Sequence, residues 1–286
     1  MEFRATQFSE GMLAAYSNLF RICFPGASGL TATYLKWLYA DNPAGNVVGF
    51  DAWEGDELAA HYVCIPAEAV VHGVARRVLL SLNTATHPKF QGKGLFTKLA
   101  ALTYERAAAE GFHAVYGVAN DNSTPGFLRK LGFSLVSPLD AKIGIGNISS
   151  QYGDRQASDF SFRRIWNDDN LAWRIANPVR RYQIAPCGNA LVGAWAPTGK
   201  PLLSAWAEVP ADGLGKLAEG SGGGAPLFRL HLGLRPAGTR AGSMWVDIPK
   251  RFRPSPLNLI FLGLNEGSHA IEREGVELGQ LDFDAF

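Results

Sequence analysis
The run Gln91-Gly92-Lys93-Gly94-Leu95-Phe96 holds the residue types that point most directly to chemistry. Two glycines one residue apart lead straight into a helical pattern, so successive backbone N–H groups turn toward one point. The positive end of the helix dipole lies behind them, and such a concavity suits a pyrophosphate. Lys93 and Lys98 are close enough in sequence to add positive charge. An ordinary tight turn before a helix has the same residues, so the weight of the reading comes from the elements around it.

Those elements have a consistent order. Residues 76–86 read as a strand rich in Val, Leu and Thr, followed by a polar, glycine-bearing loop over 87–94. Leu95, Leu99, Leu102 and Ala109 keep helical spacing over 95–110, and Gly111 supplies the stop. Residues 114–118 form a short buried strand. A short helix over 124–131 follows, capped by Ser123 or Asn122 and ended at Gly132, and then a strand over 133–136. Upstream, the pattern gives a strand at 3–6 and an amphipathic helix over 9–20. A second helix over 31–39 is closed by Asn42-Pro43, and a hairpin of strands spans 47–53 and 58–65. This is an α/β order with an antiparallel opening and a strand-loop-helix-strand unit at its centre.

Composition narrows the setting. The 286 residues are 47% hydrophobic and 19% charged, enough apolar material for one large core or two ordinary ones. Lys and Arg total 27 against 26 Asp and Glu, a formal net charge of +1. No basic excess suggests nucleic acid, and no polybasic tract suggests a membrane surface. Cys23, Cys64 and Cys187 are widely spaced, which suits thiols of a reducing compartment better than a disulfide frame or a metal site. Glu2 and Arg4 interrupt any signal-peptide core, so the expected location is the cytoplasm.

Loop and flanks together resemble motif A of the GNAT superfamily, the coenzyme A-dependent N-acyltransferases, with its Gln/Arg-x-x-Gly-x-Gly/Ala loop. Gln91 and Gly94 match; Phe96 stands where the family has a small residue. The second family motif follows as Asn120-Asp121-Asn122-Ser123-Thr124-Pro125-Gly126-Phe127-Leu128-Arg129-Lys130-Leu131-Gly132-Phe133. The likeness covers roughly residues 1–140. It implies that Gln91, Gly92, Lys93, Gly94, Leu95 and Phe96 hold the coenzyme A pyrophosphate. It implies that the strand edge at Thr84, Ala85 and Thr86 pairs with the pantetheine arm, and that Asn120, Asn122, Phe127 and Lys130 complete the site. Acetyl-CoA or another short acyl-CoA is the implied co-substrate. A backbone N–H of Ala85 or Thr86 is expected to polarise the thioester carbonyl.

The same likeness exposes a gap. The family's usual acid, a tyrosine, falls at Leu128, and its frequent base, a glutamate, falls at Leu80. Neither can move a proton. The substitutes are His61, on a candidate strand and with an imidazole suited to proton uptake, and Asn83, which with Ser81 can order a water. His87, Asp51 and Tyr152 are weaker candidates. Placement of an already neutral amine is the remaining route.

The second half echoes the first. Leu35-Lys36-Trp37 with Asn42-Pro43 returns as Leu171-Ala172-Trp173 with Asn177-Pro178. The strand Val48-Gly49 returns as Val192-Gly193, and the hairpin end at Pro66 as Pro210. The glycines at 222–224 start no phosphate loop and read as a flexible turn. The expected fold is therefore α/β: a GNAT domain with a mixed central sheet over 1–145, then a degenerate GNAT-like half over 146–286 serving the acceptor site or an interface. Trp166, Trp173, Trp195, Trp206 and Trp245, with Arg163, Arg164, Arg180, Arg181, Arg251 and Arg253, suggest a nucleotide-linked amino sugar as acceptor. Bacterial sugar N-acyltransferases with two GNAT-like halves offer the analogy. An amino acid, antibiotic or peptide amine is the alternative acceptor, and a non-catalytic coenzyme A sensor the alternative of another class. The other expectations are no nucleic acid, no membrane, no metal, and room for a homo-oligomer.

Overall fold
Two mixed sheets organise the chain. The computed structural model describes residues 1–286 except 150–154, 189, 221–223, 240, 243, 254–255, 266 and 284–286. The candidate Tyr152 and most of the glycine turn expected at 222–224 lie outside the described residues. The first half runs β1 (Glu2–Ala5), α1 (Glu10–Cys23), α2 (Ala32–Tyr39), β2 (Val48–Glu54), β3 (Glu57–Val71), β4 (Val74–Thr86), α3 (Leu95–Ala109), β5 (Ala114–Asn120), α4 (Thr124–Lys130) and β6 (Ser134–Pro138). There follow β7 (Asp140–Gly144), β8 (Phe162–Arg164), α5 (Asp168–Ile175), β9 (Gln183–Gly188), β10 (Leu191–Pro197), β11 (Leu203–Pro210), β12 (Phe228–Gly233), β13 (Trp245–Asp247), β14 (Leu257–Gly263) and β15 (Val276–Glu277).

Local chemistry explains most of these bounds. Ser9 caps α1 by accepting from the Met12 N–H, and Thr31 caps α2 by accepting from the Tyr34 N–H. Strand β3 is buried almost throughout, as its near-continuous apolar run requires of a central strand covered on both faces. One face of the first sheet packs on α3 through Leu95, Leu99 and Ala100; the other packs on α1 and α2 through Leu13, Leu35 and Leu38.

The first sheet has the order β1-β2-β3-β4-β5-β14-β6, and the second has β13-β7-β12-β11-β10-β9. In the first, β1 to β4 are antiparallel, β4 and β5 are parallel, and β14 is antiparallel to β5 and β6. In the second, β9 to β11 are antiparallel, β11 and β12 are parallel, and β7 is antiparallel to β12 and β13. From β2 and from β9 onward the strand directions are the same. This is the mixed sheet expected of a GNAT fold, and the second sheet repeats its strand directions.

The two sheets also trade a strand. After β6 the chain does not turn back into its own sheet: β7 enters the second, between β12 and β13. After β13 the chain does the reciprocal thing, and β14 enters the first sheet between β5 and β6. The division expected at residue 145 therefore does not part the sheets, since β7 lies before it and β14 after it. Matching the sheets strand by strand also shifts part of the sequence echo. β9 and β10 stand in the places of β2 and β3, so Val48-Gly49 on β2 and Val192-Gly193 on β10 are not equivalent. The helix echo holds its place. Trp37 of α2 and Trp173 of α5 stack with centroids 4.8 Å apart. Each ring Nε1 donates to the other residue's backbone carbonyl, at 2.9 and 3.0 Å. That reciprocity marks a local two-fold relation between the halves.

Candidate active site
The parallel pair β4/β5 sets the site, because the two strands share a ladder only as far as Ser81 and Gly117. Beyond that point β4 continues through Thr86 paired to β3 alone, and β5 continues through Asn120 paired to β14 alone. The facing edges are open there. Thr84, Ala85 and Thr86 lie along the β4 side of the opening, in register with Tyr62, His61 and Ala60 of β3.

At the same end, Pro88, Lys89 and Phe90 form a single 3₁₀ turn, and Gln91 leads into the glycines. Gly92 and Gly94 take φ of +78° and +71°, the left-handed region that favours glycine. A Cβ placed on either would meet nothing within 4 Å, so the concave side of the loop is open. Gly94 precedes α3 without a side-chain cap, which leaves the first-turn N–H groups of Leu95, Phe96 and Thr97 with no intrahelical acceptor. Free donors, an open cradle and an unpaired strand edge fit a pyrophosphate and an extended amide-bearing arm. Lys93 stands over the Phe90 ring, 5.0 Å from its centroid, and Lys98 is exposed beside it.

The second motif is placed beside the first, with altered roles. Asn120 Oδ1 accepts from the Asn122 and Ser123 N–H groups and from the Ser123 hydroxyl, so its amide builds the turn into α4. Phe127 is buried edge-on against Phe96 and Phe133. Phe96, the departure from the family pattern, also meets Tyr62 edge-on, so its ring fills space between α3, α4 and the sheet. Asn122 and Lys130 are exposed.

Asn83 is the unusual residue. It is the extra residue of a bulge, since Val63 pairs with Leu82 and Tyr62 with Thr84, and its φ is +54°. A non-glycine held there is strained, and such strain collects at functional sites. Behind it runs a buried hydrogen-bonded chain. Asn83 Nδ2 lies 3.1 Å from Tyr39 Oη, Tyr39 Oη 2.9 Å from His61 Nε2, and His61 Nδ1 2.6 Å from Asp51 Oδ1. Asp51 Oδ2 accepts from the Tyr16 hydroxyl at 2.6 Å, and Tyr16 stacks on the His61 ring.

The directions of these bonds can be worked out from the carboxylate outward. A carboxylate only accepts, so His61 donates from Nδ1, and a neutral imidazole then presents Nε2 as an acceptor. Tyr39 then donates its proton to Nε2, and its oxygen accepts from the Asn83 amide nitrogen. Asn83 Oδ1 is left with no protein donor among the described residues. Burial pushes the Tyr39 phenol well above its ordinary pKa, so it stays a protonated link in this chain. His61 and Asp51 are fully buried. His61, read from the sequence as facing the site, reaches it only through Tyr39 and Asn83.

On the other face, Ser81 Oγ lies 2.8 Å from Tyr62 Oη, which lies 2.6 Å from Tyr104 Oη. Leu80 is buried in the core, and Leu128, on α4, is half-buried against the core on the α3 face. Nothing polar replaces either in place. Tyr39, Tyr62 and Tyr104 carried no local sequence signal, because their meeting depends on which strands and helices pack.

The five tryptophans of the second half offer no exposed stacking face; the exposed phenyl rings among its described residues are Phe228 and Phe252, with Arg251 over Phe252. Trp166, Trp173, Trp195, Trp206 and Trp245 are all buried, and Arg229 and Arg174 lie over the rings of Trp206 and Trp173. Arg164 and Arg174 are buried as well, while Arg181 and Arg251 are exposed. No group of His, Cys, Asp and Glu able to hold a metal occurs among the described residues. No helix among them is long and apolar enough to cross a membrane.

Residues 5–136 match the family model of the acetyltransferase (GNAT) domain. No curated protein matches the chain significantly. Among solved structures, a GCN5-related N-acetyltransferase from Kribbella flavida aligns with a TM-score of 0.60 at 13% identity, over 92% of this chain and 72% of that one. One from Anabaena variabilis gives 0.59 at 10% identity, over 92% and 73%. Eis1 from Mycobacterium abscessus gives 0.55 at 10%, over 91% and 73%. At such identities the likeness concerns the fold, and it extends over both halves.

Proposed function
Because residues 5–136 match the model of the GNAT acetyltransferase domain, we propose that the chain is an acyl-CoA-dependent N-acyltransferase in which Asn83 orients the acceptor amine at the opening between β4 and β5. Acyl-CoA supplies the activated thioester. Gly92, Lys93, Gly94, Leu95 and Phe96 offer the backbone donors for its pyrophosphate, and Thr84 to Thr86 the strand edge for its pantetheine arm. The amine attacks in its neutral form: its nitrogen forms a bond to the acyl carbon as the carbon–sulfur bond breaks, and the proton it sheds ends on the departing sulfur, which leaves as free coenzyme A thiol.

The carrying observation is the Asn83 amide. Its nitrogen is fixed by Tyr39, so its free Oδ1 can accept one N–H of the amine and leave the lone pair for attack. His61 and Asp51 act through Tyr39 as positioning residues. Ser81 lies at the last rung before the strands part, with the Tyr62 and Tyr104 hydroxyls behind it. It is the hydroxyl we assign to return a proton to the departing sulfur.

The acceptor is a small amine. A nucleotide-linked amino sugar is the narrower reading, and with the five tryptophans buried its support is confined to the exposed arginines. A thermal shift with a uridine diphosphate and none with simple amines would favour it. The test of the catalytic arrangement is release of free coenzyme A by Asn83→Ala with a panel of primary amines. A kcat lowered at least tenfold with the KM for acetyl-CoA unchanged is expected. Undiminished kcat on every amine the native protein accepts overturns it.

A further inference from the structure
We infer that the apolar cavity between the two sheets is the acceptor's own subsite, and that the acceptor is an amphipathic amine: an amino group, an aliphatic stretch and an anionic group. This rests on the reading of the chain as an N-acyltransferase. The cavity measures about 530 Å³ and is walled by Leu139, Leu230, Leu232, Ile248 and Leu257. Both halves of the fold contribute: Leu257 opens β14 in the first sheet, while Leu230 and Leu232 stand on β12 in the second.

Its position ties it to the reaction. Leu257 is the ladder partner of Asn120 on β5. Asn120 lies beyond Gly117, where the two strands part, by roughly 10 Å of strand, and β14 is about 5 Å to the side. Leu82, Val118, Leu232 and Leu257 pack against the same core cluster as Tyr39. The cavity therefore opens on the sheet face where Asn83 is anchored, not on the α3 face that carries the pyrophosphate loop.

The rim sets the ligand's charge. Lys200 and Arg253 border the cavity. Arg253 Nε donates to the Ile248 carbonyl at 2.8 Å, which fixes the guanidinium while its terminal N–H groups have no protein partner among the described residues. Lys200 is exposed, and its ammonium is likewise without one. An aliphatic wall below two available cations is complementary to a hydrocarbon segment ending in a carboxylate or similar anion. Apolar walls of this extent are poorly suited to a sugar or a nucleoside diphosphate, whose polar groups would lose water without gaining partners.

The experiment uses the full chain and two probes. Decanoate, which has no amine, tests the cavity by calorimetry; ω-aminoalkanoates of rising length, with acetyl-CoA, test its link to transfer. Decanoate is expected to bind and to compete with the amine. Lys200→Glu with Arg253→Glu should weaken it at least tenfold while the thermal transition holds. kcat/KM should rise about three- to fourfold per methylene until the cavity is filled. Absence of decanoate binding, or binding that does not compete with the amine, overturns the assignment. So does a length preference that follows the acyl chain of acyl-CoA in place of the amine. If decanoate binds in an Arg253-dependent way and no amine is acylated, the cavity stands and the proposed reaction fails; turnover of short amines without decanoate binding gives the converse.

Discussion

Asn83 carries a strained backbone in order to point one amide, and the groups behind it make sense only together. A carboxylate that can only accept fixes the imidazole tautomer, the imidazole fixes the phenol proton, and the phenol oxygen fixes which end of the amide faces the opening. Removing the middle link tests the chain without touching substrate. Tyr39→Phe keeps the ring that packs beside Tyr16 and His61 but lets the Asn83 amide rotate. kcat is expected to fall ten- to a hundredfold with the KM for acyl-CoA within twofold, measured by coenzyme A release. A purely structural role would move stability and leave that split absent. The unpaired His61 Nε2 should cost about 1–3 kcal/mol of unfolding free energy in denaturant titrations.

At the scale of elements, the loop and α3 are where local rules sufficed. The αL glycines and the helical spacing are properties of consecutive residues, so the sequence places the helix at 95–110 and the structure has it at Leu95–Ala109. Gly94→Ala tests that element. With φ at +71° and open space around the site, the cost is backbone strain of about 1–2 kcal/mol, not a clash. The new methyl sits on the approach to the first-turn N–H groups, so the KM for acyl-CoA should rise severalfold in initial-rate measurements while kcat changes little. The Asn83 bulge was not legible in the same way. Whether two residues face one across a ladder depends on β3, whose register is set along its whole length by packing on both sides. The Tyr39 link failed to show for a related reason: it ends a short helix whose docking on β3 no local pattern encodes. The helix echo at Trp37 and Trp173 was legible because it is carried by spacing. The strand echo slipped because Val-Gly pairs recur on strands in different places.

For the whole molecule, the exchange of β7 and β14 has the largest consequence. A chain cut at residue 145 would keep β1 to β6 but lose β14, which lies between β5 and β6 and supplies Leu259, Ile260 and Phe261 to the cores on the two faces. β5 would then carry an unpaired edge along Ala114–Asn120, on the side away from β4, and β6 would have no sheet to join. β7 would be stranded without β12 and β13. An exposed apolar edge of this kind pairs with another copy or aggregates. Residues 1–145 expressed alone should therefore be insoluble or oligomeric, whatever their resemblance to a complete domain. Supplying residues 146–286 in trans should restore a one-to-one complex, because β7 and β14 each find their slot in the other fragment. Size-exclusion chromatography with circular dichroism distinguishes the outcomes. A stable, monomeric 1–145 with native strand content would show that the exchange is dispensable. Loss of the fragment's fold, repaired by its complement, would mean that the second half is held in place by the sheet that builds the site, and that the cavity between them is as fixed as the cleft itself.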